Sequence, residues 1–129
     1  MEAYKKKLNS KLLTPVVIPS GFVWSTSIIL STKQVNAFKI GRVAYIYICI
    51  RNNSSGLVTN GSEIKFLTLP EELAPLYAYI PFSTYASSSV NSRVNAMLFK
   101  NDNGIRYMIL GTTGVKGYIH MHAAYITES

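Results

Sequence analysis

The stretch that decides the fold is FKIGRVAYIYICIR, Phe38 to Arg51. Gly41 separates two strand-like runs, and the second run, Arg42 to Arg51, is apolar on both alternating faces. One face carries Val43, Tyr45, Tyr47 and Cys49, and the other carries Ala44, Ile46, Ile48 and Ile50. We therefore expect this strand to be buried on both sides, inside a sandwich or at a subunit contact.

The rest of the chain shows the same pattern of short apolar runs between polar turns. Further strands are predicted over Phe22–Leu30, Val35–Ile40, Ile64–Leu69, Leu76–Phe82, Arg93–Lys100, Gly104–Leu110 and Tyr118–Thr127. Loops are predicted over Asn52–Ser62, Ser83–Ser92 and Gly111–Gly117 because these stretches are rich in Asn, Ser and Gly. Pro81 is expected to place its strand at an edge or to end it at a bend. The spacing predicts an all-β domain, an antiparallel β-sandwich or jelly roll.

The domain is predicted over residues 21–129, after a short N-terminal basic arm over residues 1–20. Pro15 and Pro19 interrupt the arm, although its beginning could form a short helix. The 129 residues, 48% hydrophobic and 15% charged, suit one folded domain. Cys49 is the single cysteine, so no internal disulfide is expected. No apolar run approaches the roughly 20 residues of a membrane span, so we expect no membrane insertion.

The net charge of +7 does not by itself predict nucleic-acid binding. Lys5, Lys6, Lys7 and Lys11 form the only basic cluster, and the other bases are scattered singly. A nucleic-acid interface needs a contiguous basic stripe or interleaved aromatic residues. We therefore expect no nucleic-acid partner.

His120 and His122 are the only residue pair that suggests metal chemistry. Their spacing places both on one face of the last predicted strand, as in paired-histidine metal sites. No third histidine exists, and no acidic residue follows closely enough to complete a ligand set. The more ordinary interpretation is a strand face turned to solvent or to a symmetry mate. A metal site built on these two residues stays a distant hypothesis.

No other pattern predicts an enzyme. There is no GxSxG motif, and Cys49 lies inside a strand pattern instead of at an exposed turn. Glu71 and Glu72 are adjacent on a turn, where they seldom face one cleft as glycosidase carboxylates must. We expect a non-enzymatic protein without a cofactor.

Tyrosines supply the better functional signal, because sugars stack on aromatic rings while polar side chains hold their hydroxyls. Many tyrosines of the second half of the chain could equally pack in the core or between subunits. The predicted ligand-binding residues are Tyr77, Tyr79, Tyr85, Arg93, Tyr107 and Tyr118, with Tyr125 in the same group of tyrosines.

The order of landmarks in the chain resembles the C-terminal head (receptor-binding) domains of phage tail fibre and baseplate proteins. The strand pair of Phe38 to Arg51 is followed by a strand ending Leu69-Pro70, a proline-bounded segment to Phe82, a hairpin at Asn103-Gly104 and a final Tyr125-to-Thr127 strand end. The resemblance implies a homotrimer in the virion, at the tail tip or baseplate, made in the bacterial host cytoplasm. It also implies contacts with other tail or baseplate proteins and adhesion to a cell-surface saccharide.

Three functional hypotheses follow from the sequence. The first is a non-enzymatic tail or baseplate component that mediates host-surface saccharide recognition and adsorption. The second is a purely structural virion or assembly protein that docks through its N-terminal arm. The third, and most distant, is a small β-sandwich metal enzyme.

Overall fold

Strands account for almost all regular structure among the described residues. The computed structural model describes residues 14–59, 61–87, 92–111 and 114–129. The strands are β1 (Val16–Val17), β2 (Val23–Trp24), β3 (Thr32–Ile40), β4 (Val43–Arg51), β5 (Ile64–Thr68), β6 (Tyr79–Ala86), β7 (Ser92–Phe99), β8 (Gly104–Gly111) and β9 (Ile119–Ile126). A single 3-10 turn, Glu71–Leu73, follows β5 within the described residues. The predicted all-β class is confirmed.

The strands form one curled antiparallel sheet in the order β1-β3-β4-β9-β6-β7-β8-β5-β2. Strand β6 joins its two halves, because Tyr79–Phe82 pair with β7 whereas Ser83–Ala86 pair with β9. We call the two parts the β4 half (β1, β3, β4, β9 and Ser83–Ala86) and the β8 half (Tyr79–Phe82, β7, β8, β5 and β2). Buried residues of both halves form one core, so the sheet folds over itself as a sandwich does.

Strand β4 is buried on one side only as far as Tyr47, which corrects the expectation from its sequence, whereas Cys49 on the outer side is buried. Ile46, Ile48 and their in-phase neighbours are at most 2% exposed and belong to the core. Tyr45 and Tyr47, on the opposite side, are 38% and 37% exposed. The reason is that tyrosine combines an apolar ring with a polar hydroxyl, so an apolar pattern containing tyrosines does not require a dry environment.

Strand β6 continues past Pro81, so the proline does not end it, whereas the predicted edge position agrees with the pairing. Pro81 lies in the part of β6 whose ladder partner is β7 alone, and a residue without an N–H group is tolerated there. The strand continues over Ser83–Ala86 and pairs with β9. The predicted polar loop over Ser83–Ser92 is therefore wrong for Ser83–Ala86 and for Ser92, which begins β7, while residues 88–91 lie outside the described residues.

The landmarks that carry the family resemblance meet at one end of the domain. Asn103, in the β7–β8 hairpin, adopts a positive φ of 54° and donates its side-chain amide to the carbonyls of Leu69 and Pro70. The Tyr125 hydroxyl donates to the Leu73 carbonyl at 2.7 Å. These residues hold the end of β5, the hairpin and the end of β9 together, so their role in this chain is to maintain the fold.

Part of the predicted N-terminal arm joins the sheet. Val16 and Val17 pair with Lys39 and Phe38 of β3, and Ile18 packs against the core. The helix considered for the start of the arm lies outside the described residues. Among the residues described, no helix has the length and hydropathy needed to cross a bilayer.

Candidate functional site

The outer surface of the β4 half carries a group of aromatic rings. Strands β3, β4, β9 and the end of β6 each turn alternate residues outward there, in register with one another. We call the following set the aromatic face: Phe38, Tyr45, Tyr47, Tyr85, Tyr118, His120 and His122. Most of these side chains are more than one-third exposed, and Tyr85 reaches 67%. A monomer rarely exposes so many large rings side by side without a binding role.

His120 lies at the centre of three tyrosine rings. The ring centroids of Tyr47, Tyr85 and Tyr118 lie 6.1, 6.1 and 6.2 Å from that of His120. The Tyr47 hydroxyl and His120 Nδ1 share a hydrogen bond of 2.7 Å. Tyr85 lies directly across from His120 in the ladder and Tyr47 lies on the neighbouring strand β4, so strand register holds these two rings, whereas Tyr118 lies directly before β9. The rings therefore form a fixed surface on which a flat ligand can lie.

A shallow groove borders this cluster on the side of β3. Its volume is about 440 Å³, and its walls include Asn36, Phe38, Tyr45, Tyr47 and His122. Phe38 and Tyr45 stack with centroids 4.9 Å apart at an interplanar angle of 11°. Ala124, the next outward-facing residue of β9 after His122, also lines the groove. The groove thus combines ring faces with an amide and an imidazole at its rim.

The electrostatics of the aromatic face are one-sided. None of the strand segments that form it contains Asp or Glu, whereas Arg51 projects at the end of β4. Desolvation raises the pKa of the Tyr47 hydroxyl, and the neighbouring Cys49 thiol adds to the shift. That hydroxyl therefore stays protonated at neutral pH and remains a neutral hydrogen-bonding group. The surface is apolar, hydrogen-bonding and weakly cationic.

The residues predicted to bind a ligand separate into three groups. Tyr85 and Tyr118 lie on the aromatic face. Tyr77, Tyr79 and Arg93 are exposed at other surfaces, Tyr79 packing edge-on against Phe99 at 5.1 Å. Tyr107 is 1% exposed and packs on Phe66 inside the core, where burial raises its pKa. Its inward register on β8 leaves no surface for a ligand, so its assignment as a binding residue is corrected.

His120 and His122 share the aromatic face, as their spacing predicted. Nδ1 of His120 is engaged by Tyr47, and the nearest cross-strand partners of the pair include Cys49, Tyr47 and Ser83. The described residues contain no group of three His, Cys, Asp or Glu side chains placed to hold a metal ion. The geometry instead presents the imidazoles as polar groups among the rings.

No protein-family model, no curated protein and no solved structure matches the chain.

Sequence reasoning missed the contribution of the first half of the chain. Phe38, Tyr45, Tyr47 and Arg51 were assigned to a strand pair and not to a binding surface. The signal that could have identified them is the tyrosine alternation on β4, with Arg51 two residues beyond Cys49 on the same face. Alternation of Tyr with Ile indicates an outer face that is wet and aromatic opposite an inner face that is dry.

Proposed function

We propose that this protein is a non-enzymatic binding module of a phage tail or baseplate that recognises saccharide on a bacterial cell surface. The observation that carries the binding part is the aromatic face, with three tyrosine rings around His120 and an adjoining groove. The tail or baseplate part rests on the ordered landmarks of the sequence and on their convergence at one end of the fold.

Exposed tyrosine rings at fixed positions suit a sugar better than an extended peptide. The C–H face of a pyranose stacks on a ring, and the hydroxyls need short-range donors and acceptors beside it. The hydroxyls of Tyr85 and Tyr118 make no hydrogen bond to any described residue, so they are available to a ligand. Asn36 and His122 add an amide and an imidazole at the groove.

The binding proposal is tested with two exposed tyrosines of the same strand. Tyr85 and Tyr79 are 67% and 60% exposed on β6, but only Tyr85 belongs to the aromatic face. We expect Tyr85→Ala to weaken binding to cell-wall polysaccharide by about 3- to 10-fold, from the loss of one stacked ring. Tyr79→Ala should leave the affinity unchanged. Biolayer interferometry on polysaccharides from a panel of bacteria supplies the measurement, and equal losses in both variants would refute this assignment.

The tail proposal predicts where the protein is found and what it blocks. Antibody-gold labelling should mark the tail tip or baseplate of virions that carry it. Purified protein added first to host cells should compete with phage adsorption, since both would occupy the same saccharide. Labelling confined to heads, or undiminished adsorption at saturating protein, would contradict this part of the proposal.

A second function, purely structural assembly, is supported by the same exposed rings, since interfaces are enriched in Tyr and Phe. In that case the aromatic face contacts another copy or another virion protein. Light scattering at micromolar concentration distinguishes the cases when it is run on wild type and on Tyr45→Ser. The family resemblance implies a homotrimer for either function, but assembly through the aromatic face predicts that the substitution dissociates it, whereas saccharide recognition predicts that it stays intact. In the assembly case, deletion of residues 1–13 should abolish docking while β1 and the domain stay folded.

A further inference from the structure

Arg51 extends the aromatic face at the end of β4. Its guanidinium carbon lies 4.5 Å from the centroid of the Tyr118 ring. Its Nε donates a 2.9 Å hydrogen bond to the carbonyl of Lys116. The ring below and the carbonyl beside it hold the guanidinium plane in one orientation, as cation–π stacking with a hydrogen bond does. Arg51 is therefore pre-organised without any bound ligand.

The two terminal nitrogens of Arg51 have no protein acceptor among the residues described. The ion pairs found there are Lys65–Asp102, Arg106–Asp102 and Lys100–Glu128, and none includes a residue of the aromatic face. Arg106 gives an internal comparison, because its guanidinium also lies over a ring, 4.3 Å from the Phe99 centroid. Asp102 neutralises Arg106, whereas the face that carries Arg51 has no carboxylate to do so.

We propose that Arg51 is an oxyanion subsite, so that the preferred ligand is a saccharide bearing a carboxylate or a phosphate. This inference rests on the proposed saccharide function. Arg51 covers one face of the Tyr118 ring, so the sugar is expected to stack on Tyr85. It would then present an anionic substituent to the terminal nitrogens of Arg51, which together donate two hydrogen bonds to a planar carboxylate or phosphate edge. The Lys116 side chain, exposed at the same end of the sheet, adds positive charge.

The test compares three simple probes: D-glucose, D-glucuronate and D-glucose 6-phosphate. Dissociation constants come from chemical-shift titrations of ¹⁵N-labelled protein at low ionic strength, followed on the side-chain Nε–H of Arg51 and the backbone amide of Tyr118. We expect at least one anionic sugar to bind about tenfold more tightly than glucose, a gain typical of a charge-assisted hydrogen bond. Comparing the affinities for glucuronate and glucose 6-phosphate shows whether the subsite prefers a carboxylate or a phosphate.

Arg93→Gln is the matched control for Arg51→Gln, because Arg93 is an exposed strand arginine in the β8 half. Arg51→Gln should abolish the preference for the anions and leave glucose binding intact, and Arg93→Gln should change neither. Arg51→Lys keeps the charge but not the planar fork, so it should retain only part of the preference. Thermal melting of each variant verifies that the domain is folded.

Three results would overturn the inference, and only the third would also remove the proposed saccharide function. Equal affinity for glucose and both anions would remove the oxyanion subsite while saccharide binding stands. An anion preference that persists in Arg51→Gln would place the subsite elsewhere. Absence of binding by all three sugars, together with no binding to any cell-wall polysaccharide, would remove the saccharide function and the inference with it.

Discussion

Tyr125 should be one of the main stabilising residues outside the aliphatic core. Its ring is 6% exposed, and its hydroxyl donates at 2.7 Å to the carbonyl of Leu73, a residue that is itself 0% exposed. Tyr125→Phe keeps the ring and removes the donor, which leaves a buried carbonyl without this partner. Such a loss costs about 1–2 kcal/mol in the free energy of unfolding.

Urea unfolding followed by the fluorescence of Trp24 measures this loss. With a slope of about 2 kcal/mol per molar urea, the midpoint should fall by about 0.5–1 M at unchanged slope. Tyr79→Phe makes the same chemical change at a 60% exposed tyrosine and should shift stability by less than about 0.5 kcal/mol. A Tyr125→Phe midpoint equal to that of Tyr79→Phe would refute the claim that this hydrogen bond secures the end of β9.

Three further predictions concern the stability of the domain. The hydrogen bond from Arg106 is the main reason that the pKa of Asp102 is lowered to about 2. The stabilising contribution of the Asp102 carboxylate is therefore present above about pH 4 and is lost as the pH falls towards 2. Asp102→Asn should therefore cost about 1 kcal/mol at pH 7, after allowance for solvent screening, and flatten the acid limb of a urea-stability profile. Ile48→Ala, at a position 0% exposed, should cost about 2–5 kcal/mol in the same assay. Burial raises the pKa of Tyr107 and Tyr125, so these hydroxyls should resist ionisation in an absorbance titration. The free energy of unfolding should decline as the pH rises above about 10, because these tyrosines ionise there in the unfolded chain.

The sequence predicts most of the long strands because period-2 alternation and turn residues are local signals, but of the predicted strand Phe22–Leu30 only Val23–Trp24 forms. The Asn103-Gly104 hairpin and the strands around it follow from such signals, and each is found within a residue or two of its predicted bounds. The error over Ser83–Ser92 has a physical cause. Ser83 to Ala86 have a weak local preference, and they become a strand because β9 supplies a pairing partner distant in the chain.

The site was predictable only in part for a similar reason. Tyr85 and Tyr118 could be named as exposed tyrosines, but the sequence does not show that the register of β4, β9 and β6 gathers them around His120. Tyr107 is also a tyrosine, but its position in the alternation of β8 places its ring in the core. The alternation of Tyr with Ile marks the wet face of β4, but on β8 the inner face includes Tyr107 and the outer face includes Met108. Which face of β8 is wet therefore depends on the packing of the two halves of the sheet and not on a local pattern.

A crystal structure of the protein with a cell-wall oligosaccharide that it binds would test the central claim most directly. The account predicts a sugar ring about 4 Å above Tyr85, beside His120 and Tyr118. A sugar bound over Tyr79 and Phe99, or an aromatic face covered by a second copy of the chain with the sugar elsewhere, would contradict it.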